Sequence, residues 1–194
     1  MGDKATLKRQ YIIEAARKVF MEKGYKNVTM KDIVEACEIS RGGLYMYFSS
    51  TKDIFSAVMQ LEAEESDDVF RGSISKDATP ADVFVLFLKE QKKEIVRKEN
   101  TLTVAIYEYF FENKIAKKDN VLRNQFDMAS KVIESLIVAG IDSGGFFCEE
   151  PAAMARNIMF EIEGMKIASQ TMGISERMIS EEMLFIVKSL AVED

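Results

Sequence analysis

Histidine and tryptophan are absent from this 194-residue chain, and proline and cysteine occur only twice each. Without an imidazole there is no histidine acid–base group and no histidine metal ligand, and no phosphate-binding loop or dinucleotide fingerprint appears. Acidic pairs such as Glu64-Glu65 and Glu181-Glu182 fall in predicted helices, where adjacent residues do not share a face. We therefore expect no catalytic residues, no metal site and no cofactor.

The two cysteines and the short hydrophobic runs indicate the compartment. Cys37 and Cys148 show no metal-ligand spacing, and such sparse cysteine use is typical of a reducing environment. The N-terminus lacks the basic start and apolar run of a signal peptide. The longest apolar runs, residues 83–88 and 136–141, are far shorter than the ~18 residues of a membrane span. We expect a soluble, cytoplasmic protein with no membrane partner.

Composition favours an all-α protein with an uneven distribution of charge. The chain is 47% hydrophobic and rich in the helix formers Ala, Glu, Lys, Leu and Met. Residues 1–60 carry 10 Lys/Arg and 7 Asp/Glu, a net charge of +3, whereas residues 61–194 carry 16 and 25, a net charge of −9. This distribution indicates that only the N-terminal segment meets a polyanion. Chance variation among surface charges is the alternative explanation.

Capping residues divide the N-terminal segment into short helices. A loose leader is expected at residues 1–6, followed by a helix that ends at Gly24. Three further helix starts follow at helix-turn-helix spacing: Thr29-x-x-Asp32, Ser40 and Ser50-x-x-Asp53. The first three helices therefore predict a compact helix-turn-helix head.

The segment after Ser40 has features that a core helix does not need. Gly42 and Gly43 each cost roughly 1 kcal/mol relative to alanine in a helix interior, and large side chains crowd the residues that follow them. Small residues beside Arg41 suit close approach to a phosphate backbone and to base edges. We therefore predict DNA contact by this segment and its neighbours. The predicted DNA-binding residues are Thr29, Lys31, Ser40, Arg41, Gly42, Gly43, Tyr45, Tyr47 and Lys52.

Individual residues in this set have structural alternatives. Arg41 can bond guanine bidentately or brace a phosphate, and the rings of Tyr45 and Tyr47 can meet thymine methyl groups. Thr29 can cap a helix instead, and that role explains its presence equally well. Two apolar residues of the segment are predicted core anchors: Leu44 and Phe48.

The N-terminal pattern resembles the head of TetR-type transcriptional repressors. The resemblance covers roughly residues 8–60 and is carried by Phe20, Gly24-Tyr25, residues 29–33, residues 40–48 and residues 52–55. Two departures are Glu38, where the family often has glycine, and Ser49-Ser50-Thr51, one residue longer than the commonest spacing. The resemblance implies a recognition helix in the major groove of an operator. It also implies a body that senses a small apolar or amphipathic ligand.

The remainder of the chain predicts six longer helices. Their expected ranges are 52–70, 80–98, 102–114, 120–141, 151–172 and 176–192. Thr79-Pro80-x-Asp82 supplies a capping box with proline at the first helical position. The segment 102–114 is apolar almost all round, which predicts a buried helix.

Aromatic residues in these helices are candidates for a ligand cavity. Rings at helical spacing more often form a simple core, but several large rings in neighbouring helices can also wall a cavity. Glu108 and Glu112 lie one turn apart, and either could recognise a cationic ligand if it faced inward; the alternative is contact with solvent or a lysine. The predicted ligand-binding residues are Phe70, Phe84, Phe87, Tyr107, Glu108, Phe111 and Phe126.

The last two predicted helices carry apolar faces that could close the core or pack against a second copy. The resemblance implies that they pack against their copies as a four-helix bundle, so a homodimer through these helices is favoured. Dimerisation also has a functional reason, because two recognition helices read a palindrome with greater discrimination than one. The sequence thus predicts a helix-turn-helix DNA-binding domain at residues 1–51 and a helical ligand-binding and dimerisation domain at residues 52–194.

The function expected from these features is a ligand-responsive repressor of transcription. Ligand would shift the helix that begins near Lys52 and change the spacing of the two heads. One alternative is a helical small-molecule-binding or scaffold protein without specific DNA binding. Another is a helical enzyme that uses carboxylates alone, for which the sequence offers no spacing signature.

Overall fold

The computed structural model describes residues 2–192, and in that range the chain is α-helical, as predicted. The helices are α1 (Gly2–Lys23), α2 (Met30–Cys37), α3 (Arg41–Tyr45), α4 (Thr51–Gly72), α5 (Pro80–Val96), α6 (Thr103–Glu112), α7 (Val121–Asp142), α8 (Pro151–Thr171) and α9 (Glu176–Lys188). A short 3-10 turn, Lys117–Asp119, lies between α6 and α7. An isolated antiparallel bridge joins Phe146 to Ala191.

The helices form two compact units, and each unit is built from separated stretches of chain. The first unit contains the chain up to Asp67 together with Glu99–Ala116, and the second contains Asp68–Lys98 together with the chain from Lys117 onward. Helix α6 therefore belongs to the same unit as α1, α2 and α3. The expected boundary between residues 51 and 52 separates a DNA-binding segment from a ligand-binding and dimerisation segment. That division of function stays a prediction.

The core of the first unit centres on four aromatic rings from different elements. Phe20 of α1, Tyr25 of the following turn, Phe55 of α4 and Tyr109 of α6 have ring centroids 4.7–6.2 Å apart. Offset and edge-to-face pairs of this kind stabilise a core beyond their buried area. The Tyr109 hydroxyl is hydrogen bonded to the Ser56 hydroxyl at 3.1 Å. These contacts fix α6 against the helices that carry the candidate DNA-binding residues.

The caps of the helix-turn-helix form largely as the sequence predicts. Thr29 and Asp32 make a complete capping box, and the Ser40 hydroxyl accepts from the Gly43 amide at 3.1 Å. Ser50 accepts from the Asp53 amide at 3.2 Å. The Asp53 carboxylate differs from the expected box because it accepts from the Ser49 hydroxyl.

Glu38, which stands where the resembled family often has glycine, adopts the backbone conformation that a glycine would adopt. It follows α2 with φ of 50° and ψ of 42°, which is the left-handed region that glycine occupies most easily. Its amide donates to the carbonyl groups of Glu35 and Val34 and so ends the helix. The turn keeps the geometry that a glycine would give, although a side chain is present.

The second unit packs α5, α7, α8 and α9 around one apolar core. Thr79 and Asp82 form the predicted capping box at the start of α5, with Pro80 at the first helical position. A salt bridge of 3.1 Å joins Lys92 of α5 to Glu176 of α9. Fully buried residues from each of the four helices form this core, including Phe84, Ile137, Ile162 and Ile186.

Three expectations about the helices are wrong. Helix α1 begins at Gly2 rather than Leu7, so residues 2–6 are helical; Met1 lies outside the described residues. Helix α6 is not buried all round, because Phe111 is 82% exposed while Ala105 and Tyr109 are buried. Helix α9 ends at Lys188, since the chain then turns so that the Leu190 carbonyl accepts from the Phe147 amide.

Candidate nucleic-acid interface

Helix α3 is held by two anchors and leaves its other side open. Leu44 is fully buried and Phe48 nearly so, which confirms both as core anchors. Arg41, Gly42 and Tyr45 are exposed on the same short helix. An alanine Cβ at Gly42 would meet no atom within 4 Å, so the backbone there is bare. This surface allows a duplex to approach the α3 backbone closely.

The polar groups around α3 are positioned by local contacts. The Arg41 guanidinium lies 5.6 Å from the centre of the Tyr45 ring, an arrangement that cation–π attraction stabilises. Ser40 acts as an acceptor in its cap, so its hydroxyl proton stays available for donation to a phosphate. Both features keep donors at the exposed start of α3.

The remaining predicted DNA-binding residues lie at the starts of α2 and α4 and after α3. Lys31 is exposed and pairs with Glu35 at 3.6 Å, while Lys52 is exposed on the first turn of α4. Tyr47 is half-buried. The Thr29 hydroxyl both accepts from the Asp32 amide and donates to its carboxylate, so its observed role is structural. All nine residues belong to the first unit.

Asp32 connects α2 to α1 by an ion pair. Its carboxylate accepts from the Lys23 ammonium at 2.6 Å and from the Thr29 amide at 2.8 Å. The Lys23 ammonium, followed by the Thr29 hydroxyl and amide, holds the pKa of Asp32 well below its usual range. The same ion pair raises the pKa of Lys23. This pair links the start of α2 to the end of α1.

Two exposed residues beside α3 are not among the predicted DNA-binding residues. Met46 is 83% exposed directly after α3, and the Arg9 guanidinium lies 5.0 Å from the centre of the Phe48 ring. Both line a surface concavity of about 440 Å³ together with Tyr45, Tyr47 and other residues of the turn. The position of Arg9 depends on packing between distant segments, so no local pattern in the sequence indicates it.

The candidate ligand-binding residues are divided between the two compact units. Four lie in the second unit: Phe70, Phe84, Phe87 and Phe126. Phe84 is fully buried and packs against Phe146, whereas Phe70 and Phe87 are half-buried and form an edge-to-face pair at 6.3 Å. Three lie in the first unit: Tyr107, Glu108 and Phe111. That all seven form one effector site stays a prediction.

The two glutamates of α6 contact the turn after α1. Glu108 accepts from the Lys26 amide at 3.1 Å, and Glu112 pairs with the Lys26 ammonium at 3.4 Å. An alanine Cβ at Gly24, where φ is +73°, would lie 2.6 Å from the Glu108 carboxylate. Of the alternatives left open by the sequence, the structure shows contact with a lysine and its backbone.

Helices α8 and α9 each keep an exposed apolar face after closing the core. On α8, Phe160 and Ile167 are exposed, and Gly164 between them has no atom within 4 Å of the place a Cβ would take. On α9, Leu184 and Phe185 are exposed. Both helices thus keep large apolar side chains uncovered, a feature that is typical of surfaces for protein association.

Comparison with known proteins matches two family models to successive parts of the chain. Residues 12–58 match the model described as bacterial regulatory proteins, tetR family, and residues 84–180 match the model described as tetracyclin repressor-like, C-terminal domain. The first range covers α2, α3 and parts of α1 and α4. The second begins within α5 and ends within α9.

Individual relatives agree with these models. The chain is 32% identical over 143 residues to an uncharacterized HTH-type transcriptional regulator, YfiR of Bacillus subtilis, covering 73% of this chain and 69% of that protein. It is 24% identical to the HTH-type transcriptional regulator QacR of Staphylococcus aureus, covering 86% and 88%. A TetR transcription regulator from Haloarcula marismortui has the same fold, with a TM-score of 0.84 at 17% identity, covering 96% and 100%. Across residues 2–192 no helix is long and apolar enough to span a membrane.

Proposed function

This chain belongs to the TetR family of bacterial regulatory proteins, and from that premise we propose that it binds a palindromic operator as a homodimer and is released by a small apolar or amphipathic effector. Members of the family are ligand-responsive DNA-binding transcriptional regulators and not enzymes, so this protein is a regulator of transcription. The cytoplasm, where such a regulator meets the chromosome, is the compartment that this function requires.

The exposed side of α3 is the observation that carries the proposal. Arg41 and the bare backbone at Gly42 are presented outward while Leu44 anchors the helix from behind. We propose that Arg41 reads guanine or braces a phosphate, with Tyr45 and Tyr47 beside it. Lys31, Ser40 and Lys52 supply phosphate contacts that fix the register of the head. Gly43 keeps the backbone close, and Thr29 acts through its cap.

The apolar faces of α8 and α9 support the dimer. Phe160 and Phe185 are each more than half exposed, and aromatic residues of this kind are enriched at the centres of interfaces. Gly164 between Phe160 and Ile167 allows a partner helix to come close. Two copies joined here would bring two recognition helices to one duplex, as a two-fold operator requires.

The half-buried rings of the second unit support effector binding. Phe70 pairs with Phe87, and Phe126 pairs with Phe160 at 4.9 Å, so these rings present apolar surface without being sealed in the core. We propose that an apolar or amphipathic effector contacts Phe70, Phe87 and Phe126. Helix α4 begins in the first unit and ends in the second. Displacement of α4 is therefore the simplest way for effector binding to change the position of the DNA-binding heads. The effector must prefer one of the two states for release to follow.

Selection of bound duplexes from a random DNA library tests the function. We expect a two-fold symmetric site, and an affinity that falls steeply with added salt because phosphate contacts release counterions. Selections repeated with lipophilic cations and acids should identify compounds that abolish enrichment. Failure to enrich any symmetric site, or binding that is insensitive to salt, would overturn the proposal.

Arg41→Ala tests the assignment of the reading helix. We expect operator affinity to fall roughly 5- to 150-fold, corresponding to about 1–3 kcal/mol for one bidentate contact. Arg97→Ala is the matched control, because Arg97 is an exposed arginine of the second unit. Helicity and dimer mass should not change in either variant. Normal operator binding by Arg41→Ala would show that α3 does not read the operator as proposed.

A further inference from the structure

The first turns of α1 form a helix that the core of the first unit does not need. Between Lys4 and Tyr11, Lys8 is half-buried and all the other residues are exposed; the first buried side chain of α1 is Ile12. Leu7 is 71% exposed. A short helix in water is only marginally stable without an apolar face to bury. The extension before Ile12 therefore calls for an explanation other than packing.

This extension lines a groove that reaches the residues after α3. Lys4, Leu7, Lys8 and Tyr11, together with Ala5, surround a concavity of about 530 Å³ whose remaining lining residue is Tyr47. Tyr47 also lines the neighbouring concavity that contains Arg9 and Met46. The groove is thus continuous with the surface proposed to contact the operator.

The groove is cationic and held in a fixed orientation. Lys4 and Lys8 lie one helical turn apart, and the Lys8 ammonium lies 4.6 Å from the centre of the Tyr11 ring. The Tyr11 hydroxyl donates to the Cys37 carbonyl at 3.2 Å, which ties α1 to the end of α2. Residues 2–11 contain one acid, Asp3, against Lys4, Lys8 and Arg9. Lysine, unlike a base-reading arginine fork, suits a phosphate as a point charge.

We propose that the first turns of α1 are a second DNA contact, in which Lys4 and Lys8 bind phosphates of the backbone that flanks the half-site read by α3. Leu7, Tyr11 and Tyr47 provide the apolar floor against which the deoxyribose lies. The contact carries no base information; it lengthens the footprint and fixes the register of α3. The inference rests on the operator binding proposed above, and on charge complementarity and continuity with that surface.

The test compares Lys4→Gln/Lys8→Gln with wild type on the selected operator. Each phosphate contact contributes about one to the slope of log affinity against log salt, and the double variant loses two contacts in each protomer of the dimer, so the slope should become shallower by about four. Preference among operator sequences should not change. Lys18→Gln/Lys131→Gln removes two exposed lysines elsewhere and should leave the slope nearly unaltered. Lys4→Arg/Lys8→Arg should retain the wild-type slope.

Duplex length provides a second readout. Wild type should bind more tightly to an operator with several flanking base pairs than to one trimmed at the half-sites, and Lys4→Gln/Lys8→Gln should not distinguish the two. If wild type binds the operator and the double variant keeps its slope and its preference for flanks, the inference is overturned and the proposed function stands. If wild type selects no duplex at all, both fail together.

Discussion

Single residues show which parts of the site a sequence can predict. The capping boxes at Thr29 and Thr79 were predictable because each lies within four consecutive residues. The hydrogen bond from the Lys26 amide to Glu108 was not, because 82 residues separate the partners. For the same reason, the sequence did not indicate that Arg9 lies beside Phe48. Contacts between neighbouring residues can be predicted from sequence, whereas the partner of a carboxylate depends on how helices pack.

Asp32→Asn should lower stability at neutral pH. The variant loses the charge that accepts from Lys23 and Thr29, so its urea midpoint at pH 7 should fall below that of wild type. The pKa of Asp32 is depressed in the folded protein, so its contribution is fully present above the ordinary carboxyl pKa, about 3.9, and is lost as the pH falls toward the folded value. The difference between the proteins should hold from pH 7 to about 5 and shrink below about 4.

Asp82→Asn is the matched control for this pH dependence. Asp82 occupies the same position in a capping box, and the hydroxyl and amide of Thr79 lower its pKa. The same pH window is expected with a smaller difference at pH 7, since the causes of its shift do not include a lysine. A difference between Asp32→Asn and wild type that grew on acidification would contradict the assigned sign.

At the scale of elements, helix existence was predictable and helix burial was not. All predicted helices form, because caps and apolar spacing are local properties. Helix α6 shows the limit: its composition predicts burial all round, but Tyr109 faces the core and Phe111 faces solvent. A helix of ten residues packed on one side exposes the other whatever its composition. For the same reason, the aromatic ligand set could not be assigned to units from the sequence.

Gly140→Ala should destabilise the end of α7. An alanine Cβ would lie 2.1 Å from the Phe146 ring, which folds back over the helix because the Gly140 carbonyl accepts from the Gly145 and Phe146 amides. Because the overlap lies far inside van der Waals contact, its relief should cost toward the upper end of the about 1–3 kcal/mol that is typical of overpacking, more than the roughly 1 kcal/mol that alanine gains in a helix. Urea denaturation measures the change in the free energy of unfolding.

Gly72→Ala and a double variant are controls for the overlap at α7. Gly72 ends α4 and has no atom within 4 Å of a Cβ, so its replacement should not destabilise. Phe146→Leu combined with Gly140→Ala should cost less than the two single changes added together, because they relieve the same overlap. Strict additivity would show that the ring is not the cause.

At the scale of the whole molecule, the proposed dimer depends on faces that a single chain leaves uncovered. The helices that carry them also close the core of the second unit, through Ile162 and Ile186. The sequence showed both apolar faces but could not divide them between core and partner, since that division depends on which neighbours α5 and α7 provide.

Phe185→Glu should produce a monomer with little operator affinity. A carboxylate placed within an apolar interface loses its hydration, and truncation of an interface hot spot alone costs about 2 kcal/mol or more, roughly 30-fold in dimer affinity. Sedimentation equilibrium measures the association, and operator affinity should fall with it because a single head contacts one half-site. Phe111→Glu, which alters an exposed ring on α6, should remain dimeric. A dimer of unchanged strength in Phe185→Glu would place the interface elsewhere.

Helix α6 follows α5 of the second unit in the chain but packs in the first unit. This order limits how such regulators can be recombined. Ala105 and Tyr109 share a core with Phe20 and Phe55, so a crossover that transferred only the codons before α5 would separate rings that have adapted to one another. Exchange of operator specificity between relatives should succeed when both stretches are inherited together. It should also succeed when substitutions are confined to the outward residues of α3, such as Arg41 and Tyr45, whose replacement leaves the shared core intact.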